Sequence, residues 1–247
     1  GAATRLSEHL TGLEKVYEGV MRLGLVTDSH DLDGTIVQEK PVPDLTIDDI
    51  QRACQPFTGD ILQIPPMVSA VKVGGERLYK KARQGEVVER PARPVTVHEF
   101  KVLTYNPPDA AIRIRCTSGT YVRSLCHDVG QAIGCGGALA ALRRTFVGKY
   151  AVADAARVDA FTDRASVEQR LMPFNDALDL PTVVVRNASR QAIVSGSPLG
   201  ANDVIGGCSV REGWVQIKLE SGRLIALGQV HADPLNPWIH PKRVFID

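Results

Sequence analysis

The sequence predicts an α+β protein in two parts, a larger domain of strands and helices over residues 1–178 and a small, mainly β domain over residues 179–247. Two observations predict it. Stretches in which apolar and polar side chains partly alternate, as in a half-buried strand, are interleaved with segments of helical spacing. After Leu171-Met172-Pro173 the composition shifts to short apolar runs punctuated by glycine.

Residues 14–26 alternate in part and predict a strand, which Thr27-Asp28-Ser29-His30-Asp31-Leu32-Asp33-Gly34 breaks with turn formers. Thr46 and Asp49 make a capping box with Asp in place of Glu, opening a helix through about Phe57. Ile64-Pro65-Pro66 reads as a loop before a second helical stretch near Arg77 to Gln84. Arg93 to Tyr105 and Ala111 to Cys116 are extended, and Asn106-Pro107-Pro108-Asp109 between them predicts a turn joining two antiparallel strands. Val122, Leu125, Val129 and Ile133 recur at helical spacing within Tyr121 to Ile133, and Gly134 ends that helix. Ala138 to Tyr150 is again extended. Beyond the domain boundary, Thr182-Val183-Val184-Val185, Val215 to Leu219 and Leu224 to Val230 read as strands.

Composition narrows the function classes. With 44% hydrophobic residues in 247, the chain can bury a sizeable core. Lys plus Arg number 29 against 28 for Asp plus Glu, a formal charge of +1, so an RNA partner requires basic residues gathered on one face. No apolar run is long enough to span a bilayer and no secretory signal opens the chain, so a cytoplasmic location is expected. Five cysteines with no C-x-x-C pair argue against a disulfide framework and against a zinc site. They read as small buried hydrophobes. The chain begins Gly1-Ala2-Ala3-Thr4-Arg5 in a helical pattern without an initiator Met, and a preceding segment is expected.

Gly119-Thr120-Tyr121-Val122-Arg123 sets a glycine turn before a helix whose first turn presents an aromatic and an arginine. Alone, this reads equally as a helix start with a core Tyr and a surface Arg. It is accompanied by His127-Asp128-Val129-Gly130, by Leu142-Arg143-Arg144-Thr145, and by Lys15-Val16-Tyr17. Thr27 to Gly34 is similar to a T-D-T-x-D-x-D-G motif. Ile64 to Lys72, continued by Gly75, Leu78-Tyr79, Ala82-Arg83 and Gly85, matches a P-P-M-Y-S-A-x-K-x-x-G-x-x-L-Y-x-x-A-R-x-G run, with Val68 at the usual Tyr. Together these segments resemble the bacterial tRNA pseudouridine synthase B family over nearly the whole chain.

The resemblance implies a pseudouridine synthase fold, a mixed and largely antiparallel sheet with flanking helices, followed by a PUA-like β domain. It implies isomerisation of uridine-55 in the T-loop of tRNA: the nucleotide is everted at a cost of about a few kcal/mol, the bond from uracil to ribose is cleaved, and the base is rejoined through carbon. No cofactor and no metal is implied. Tyr17 matches the tyrosine that stacks on the everted uracil, Arg123 the arginine paired with the catalytic aspartate, and Tyr121 and Leu142 residues lining the base pocket. Ser69 and Lys72 match the pocket rim. The family's nucleophile lies in G-x-L-D-P-x-A-T-G, a motif this sequence lacks. The chain alone is therefore expected to be inactive, with Arg123 either solvated or paired with a substitute acid.

Lys72, Arg77, Tyr79, Lys80, Lys81 and Arg83 interleave charge with aromatics, and Arg143-Arg144 adds a second basic site. Read blandly these are solvated faces; the resemblance makes them a phosphate-contacting surface for the T stem-loop. Arg186, Arg190, Lys242 and Arg243 are weaker candidates in the small domain. A monomer is expected. Two other readings stand beside this one: a non-catalytic RNA-binding or RNA-folding protein, and the related guide-RNA-dependent synthase, whose motif spacings fit less well.

Overall fold

The computed structural model describes residues 2–67, 72–73, 76–77, 88–231 and 238–245, the backbone alone at 72, 73, 76 and 77. Ser69, the side chains of Lys72 and Arg77, Val68, and residues 78–84 of the predicted helix with their basic residues lie outside the described residues. The chain divides into two compact units, residues 11–155 and residues 1–10 with 156–247. This division differs from the boundary expected near residue 179. The reason is apolar packing: Leu6, Ala177 and Leu178 bury themselves with Leu224, Leu227 and Phe245 of the small β unit.

The larger unit is built on a six-stranded antiparallel sheet. Its strands are β1 (Lys15–Leu23), β4 (Gly59–Gln63), β7 (Arg93–Asn106), β8 (Asp109–Cys116), β9 (Gly137–Val147) and β10 (Tyr150–Ala151), in the order β10-β9-β1-β8-β7-β4. Two ribbons stand apart from it, β2 (Leu25–Thr27) with β3 (Ile36–Glu39), and β5 (Lys72–Val73) with β6 (Glu76–Arg77). The strand β8 shows why the sequence folds this way: Ala110, Ile112, Ile114 and Cys116 are buried while Arg113 and Arg115 turn outward, the period-two pattern of a sheet with one covered face. As predicted, β7 and β8 pair antiparallel across the Pro107-Pro108 turn.

Two helices follow the short α1 (Ser7–Gly12) and cover that face. The first, α2 (Ile47–Cys54), opens on the predicted capping box, in which the Thr46 hydroxyl accepts from the Asp49 N–H and the Thr46 N–H donates to the Asp49 carboxylate. It tightens to a 3-10 turn over Gln55–Phe57. The second, α3 (Val122–Ile133), brings Val122, Leu125, Cys126 and Val129 onto Met21, Phe100, Ile112 and Ile114. Each such Leu or Ile contributes about 1.5–3 kcal/mol by leaving water. Gly134 ends α3 at φ 96°, donating its N–H to the carbonyls of Gly130 and Gln131. A Cβ on Gly130 would stand 2.1 Å from the Gly137 backbone nitrogen, so α3 and the start of β9 approach this closely only through glycine.

The smaller unit is a five-stranded sheet of β11 (Thr182–Val185), β12 (Val204–Ile205), β13 (Gly213–Leu219), β14 (Leu224–His231) and β15 (Trp238–Val244). Its strand order is β12-β11-β13-β14-β15, with β11 and β13 parallel and the other pairs antiparallel. Val183, Val185, Ile217, Ile225 and Ile239 form its core with Ile193. The five cysteines are free; four are buried, Cys208 partly so, and burial pushes the Cys54 thiol up to about 12.

Candidate active-site cleft

The site is assembled from three pieces of the larger unit. The strands β1 and β9 lie side by side and pair Tyr17 with Arg144, Glu18 with Arg143 and Gly19 with Leu142. Because side chains alternate across a strand, Tyr17, Leu142 and Arg144 share one face, whereas Arg143 stands on the other beside Glu18. The predicted pairing of Arg143 with Arg144 in one surface is therefore divided by the strand itself. Both arginines are exposed.

The start of α3 is the second piece. Gln63, buried at the end of β4, clasps the backbone of Tyr121: its amide donates to the Tyr121 carbonyl at 3.0 Å and its carbonyl accepts from the Tyr121 N–H at 2.8 Å. That clasp fixes where the first helical turn begins and hence where Arg123 emerges. The Arg123 guanidinium lies 5.8 Å from the centre of the Tyr121 ring.

The third piece is the turn between β2 and β3. Thr35 donates its N–H to Asp28 Oδ1 at 2.9 Å, and Thr27 Oγ1 donates to the Asp31 carbonyl at 2.7 Å. The turn is tied to β9 by two further bonds, Leu32 N–H to the Leu139 carbonyl and Leu139 N–H to the His30 carbonyl, each 3.0 Å. Local side-chain bonds from Thr, Asp and Ser replace regular secondary structure here, which is why the motif reads as a turn and nevertheless has a defined local shape.

These pieces enclose one open cleft of about 280 Å³ lined by Tyr17, Asp31, Thr120, Tyr121, Arg123 and Leu142, with Val122 and Leu139 behind them. Within it Arg123 Nη1 donates to Asp31 Oδ2 at 2.7 Å, both side chains being one-fifth exposed. Of the two fates expected for Arg123, the structure shows pairing with an acid, Asp31. Leu142 is 44% exposed, which sets aside the bland reading of a core leucine. Tyr17 is partly buried against the core and also faces the cleft. Burial pushes its hydroxyl above the usual phenol range, Cys116 adds to the shift, and a hydrogen bond from Arg144 opposes it. Two larger hollows, of about 540 and 440 Å³, are lined without any predicted site residue.

Sequence reasoning missed the two residues that position the others, Asp31 as the acid on Arg123 and Gln63 as the clasp on Tyr121. Asp31 carried a signal, its place in the T-D-S-H-D-L-D-G turn. Gln63 carried none, since its role depends on a helix start 58 residues away. Among the described residues no group of His, Cys, Asp and Glu could hold a metal ion, and no helix is long and apolar enough to cross a membrane.

The chain is similar to known proteins over most of its length. The family model described as TruB family pseudouridylate synthase (N terminal domain) matches residues 1–122, and that of the tRNA pseudouridylate synthase B C-terminal domain matches residues 123–179. Proteins named tRNA pseudouridine synthase B are similar over most of the chain. That of Heliobacterium modesticaldum is 40% identical over 99% of this chain and 80% of its own, and that of Pseudomonas aeruginosa 40% identical over 94% and 77%. That of Opitutus terrae is 47% identical over 74% of this chain and 76% of its own. Among solved structures, a chain of an H/ACA RNP bound to a substrate RNA containing 2'-deoxyuridine superposes with a TM-score of 0.71 at 21% identity, over 100% of this chain and 70% of its own. A chain of a Cbf5-Nop10-Gar1 complex gives 0.70 at 23% over the same shares, a likeness of fold. With two family models covering residues 1–179 and relatives at about 40% identity, the chain belongs to the TruB family of pseudouridylate synthases.

Proposed function

We propose that the chain acts on tRNA, taking uridine-55 of the T-loop as its substrate and returning pseudouridine. The observation that carries the reading is the convergence of Tyr17, Tyr121, Arg123 and Leu142, distant in sequence, on one cleft. An everted pyrimidine has two faces to cover, and Tyr17 with Leu142 supplies an aromatic and an aliphatic surface for them. In the reaction the N1–C1′ bond breaks, the uracil turns, C5–C1′ forms, and the proton leaving C5 is replaced by one gained at N1. Atoms and electrons balance without a redox partner. Arg123, fixed by Asp31, contributes a positive charge at the wall of the cleft where charge develops on sugar or base. Asp31 is engaged by Arg123 and lies outside a G-x-L-D-P motif, so attack is not assigned to it.

The identities favour the stand-alone tRNA enzyme over the guide-RNA-dependent one: about 40% to proteins named tRNA pseudouridine synthase B, against 21–23% to the H/ACA structures. Arg144, on the cleft face of β9, is the first candidate for a phosphate of the T stem-loop, and the small β unit offers Arg186, Arg190, Lys242 and Arg243 as a PUA-like second contact. A monomer working in the cytoplasm fits such a substrate. A second reading is RNA binding without turnover. Tritium release from tRNA labelled at uridine C5 tests both. The full-length gene product should release one equivalent from wild-type transcripts and none from a U55C transcript. Equal release from the two would refute uridine-55 as the target, and tight binding with no release from either would favour the second reading.

A further inference from the structure

Behind the cleft the same two elements that carry Asp31 and Arg123 meet a second time. His30, the residue before Asp31, lays its ring on that of His127, one helical turn after Arg123, with ring centroids 3.9 Å apart and planes within 6°. Neither ring lines the cleft. Two local costs are accepted at this contact. His30 is the one non-glycine residue among the described residues with a positive φ, 67°. The Nδ1 of His127 is buried without a hydrogen-bond partner among the described residues. His30 Nδ1 also approaches the buried hydroxyl of Ser124, adjacent to Arg123, at 3.4 Å. The backbone of His30 and Asp31 is meanwhile anchored to β9 through Leu139. A turn fixed at one edge by backbone bonds can still pivot, and a stack on α3 removes that freedom.

We propose that the His30–His127 stack is a positioning device for the reaction: it locks the turn bearing Asp31 onto the helix bearing Arg123 and so fixes the guanidinium at the cleft wall. The inference rests on the pseudouridine-synthase reading of the cleft. Charge state matters to it because the groups facing His30 are His127 and Arg123 from α3, Arg90 from the segment before β7, and Asp31 from its own turn. Three of these four are cationic or can become so, and a proton on either ring adds repulsion at a face-to-face contact. Burial foremost, then His127, Arg123 and Arg90, hold the His30 imidazole down to about 4, while burial lowers that of His127. The His30 ring is therefore neutral across the physiological range, and burial moves His127 in the same direction.

The test uses His127→Ala, which removes one ring, His127→Phe, which keeps the stack, and His30→Asn, which tolerates the left-handed backbone but has no ring. In the 247-residue chain, restricted rotation of the Arg123 guanidinium, read by side-chain 15N NMR, should be lost in His127→Ala and His30→Asn and kept in His127→Phe. In the full-length gene product, His127→Ala should lower kcat at least about tenfold with KM within about twofold, and His127→Phe should recover most of it. In an Asp31→Asn background His127→Ala should cost little more, since the two act on one guanidinium. Unchanged Arg123 rotation in His127→Ala overturns the proposal whatever the activity; so do losses in kcat that multiply with those of Asp31→Asn. Failure of the uridine-55 reading shows separately, in the wild-type tritium assay, and leaves the NMR result to decide the positioning claim.

Discussion

Removing the charge of Asp31 is the perturbation that probes the site's electrostatics most economically. Asp31→Asn leaves the shape of the turn but takes the anion from Arg123, with which it shares a 2.7 Å hydrogen bond at one-fifth exposure. An exposed ion pair contributes about 0–1 kcal/mol and breaking a fully buried one costs about 3–5, so a pair this sheltered should cost about 2 kcal/mol when one partner is neutralised. For a unit the size of residues 11–155 that is a fall in Tm of about 4–8 °C. Thermal unfolding of wild type, Asp31→Asn, Arg123→Met and the double variant forms a cycle in which the coupling should be about 1–2 kcal/mol. The double variant should be no less stable than Asp31→Asn alone, because the guanidinium that lost this anion is gone as well. Additivity within about 0.5 kcal/mol would refute the claim that these charges stabilise one another.

Three further outcomes follow from the same geometry. Arg144→Glu should weaken binding of a T stem-loop RNA and flatten its salt dependence by about one phosphate contact, and Arg143→Glu, on the opposite face beside Glu18, should do so less; equal effects in binding titrations would contradict the register. Gly130→Ala should destabilise the larger unit by about 3 kcal/mol or more in denaturant unfolding, because the new methyl meets the Gly137 backbone, which cannot swing aside; a change under about 1 kcal/mol would show that α3 shifts freely. Burial pushes the Asp128 carboxyl up to about 6, so its ionised form costs folding free energy above that pH and the cost disappears as the pH falls toward its unfolded value near 4. Asp128→Asn should accordingly raise Tm at pH 7.5 by the equivalent of about 1 kcal/mol, after allowance for its partial exposure, and leave it unchanged near pH 4; a gain independent of pH would place the cause elsewhere.

Much of the larger unit was legible because its signals are local. The capping box at Thr46, the turn at Pro107-Pro108 and the glycine after Ile133 each specify a boundary through the chemistry of two to four neighbouring residues, and each stands where it was expected. Motif resemblance singles out Tyr17, Tyr121, Arg123 and Leu142, and the structure brings them to one cleft through a shared face of β1 and β9 opposite a helix start. The compact units were not legible: residues 1–10 join the small β unit through Leu6, an apolar residue whose partners lie more than 170 positions away. Nor were Gln63 and the His30–His127 stack, since a glutamine at a strand end and two separated histidines announce nothing until the sheet and α3 are in register. Positioning residues of this sort depend on tertiary contact alone, and periodicity does not report it.

The claim on which the function turns is that an everted pyrimidine lies against the Tyr17 ring with Leu142 beside it. A T stem-loop RNA carrying 5-fluorouridine at position 55, titrated with the 247-residue chain and followed by 19F NMR, reads that contact directly. The fluorine resonance should move upfield on binding through the Tyr17 ring current, and the movement should vanish in Tyr17→Leu while the RNA still binds. A resonance that stays at its free position in the wild-type complex, or shifts identically in Tyr17→Leu, would contradict the account.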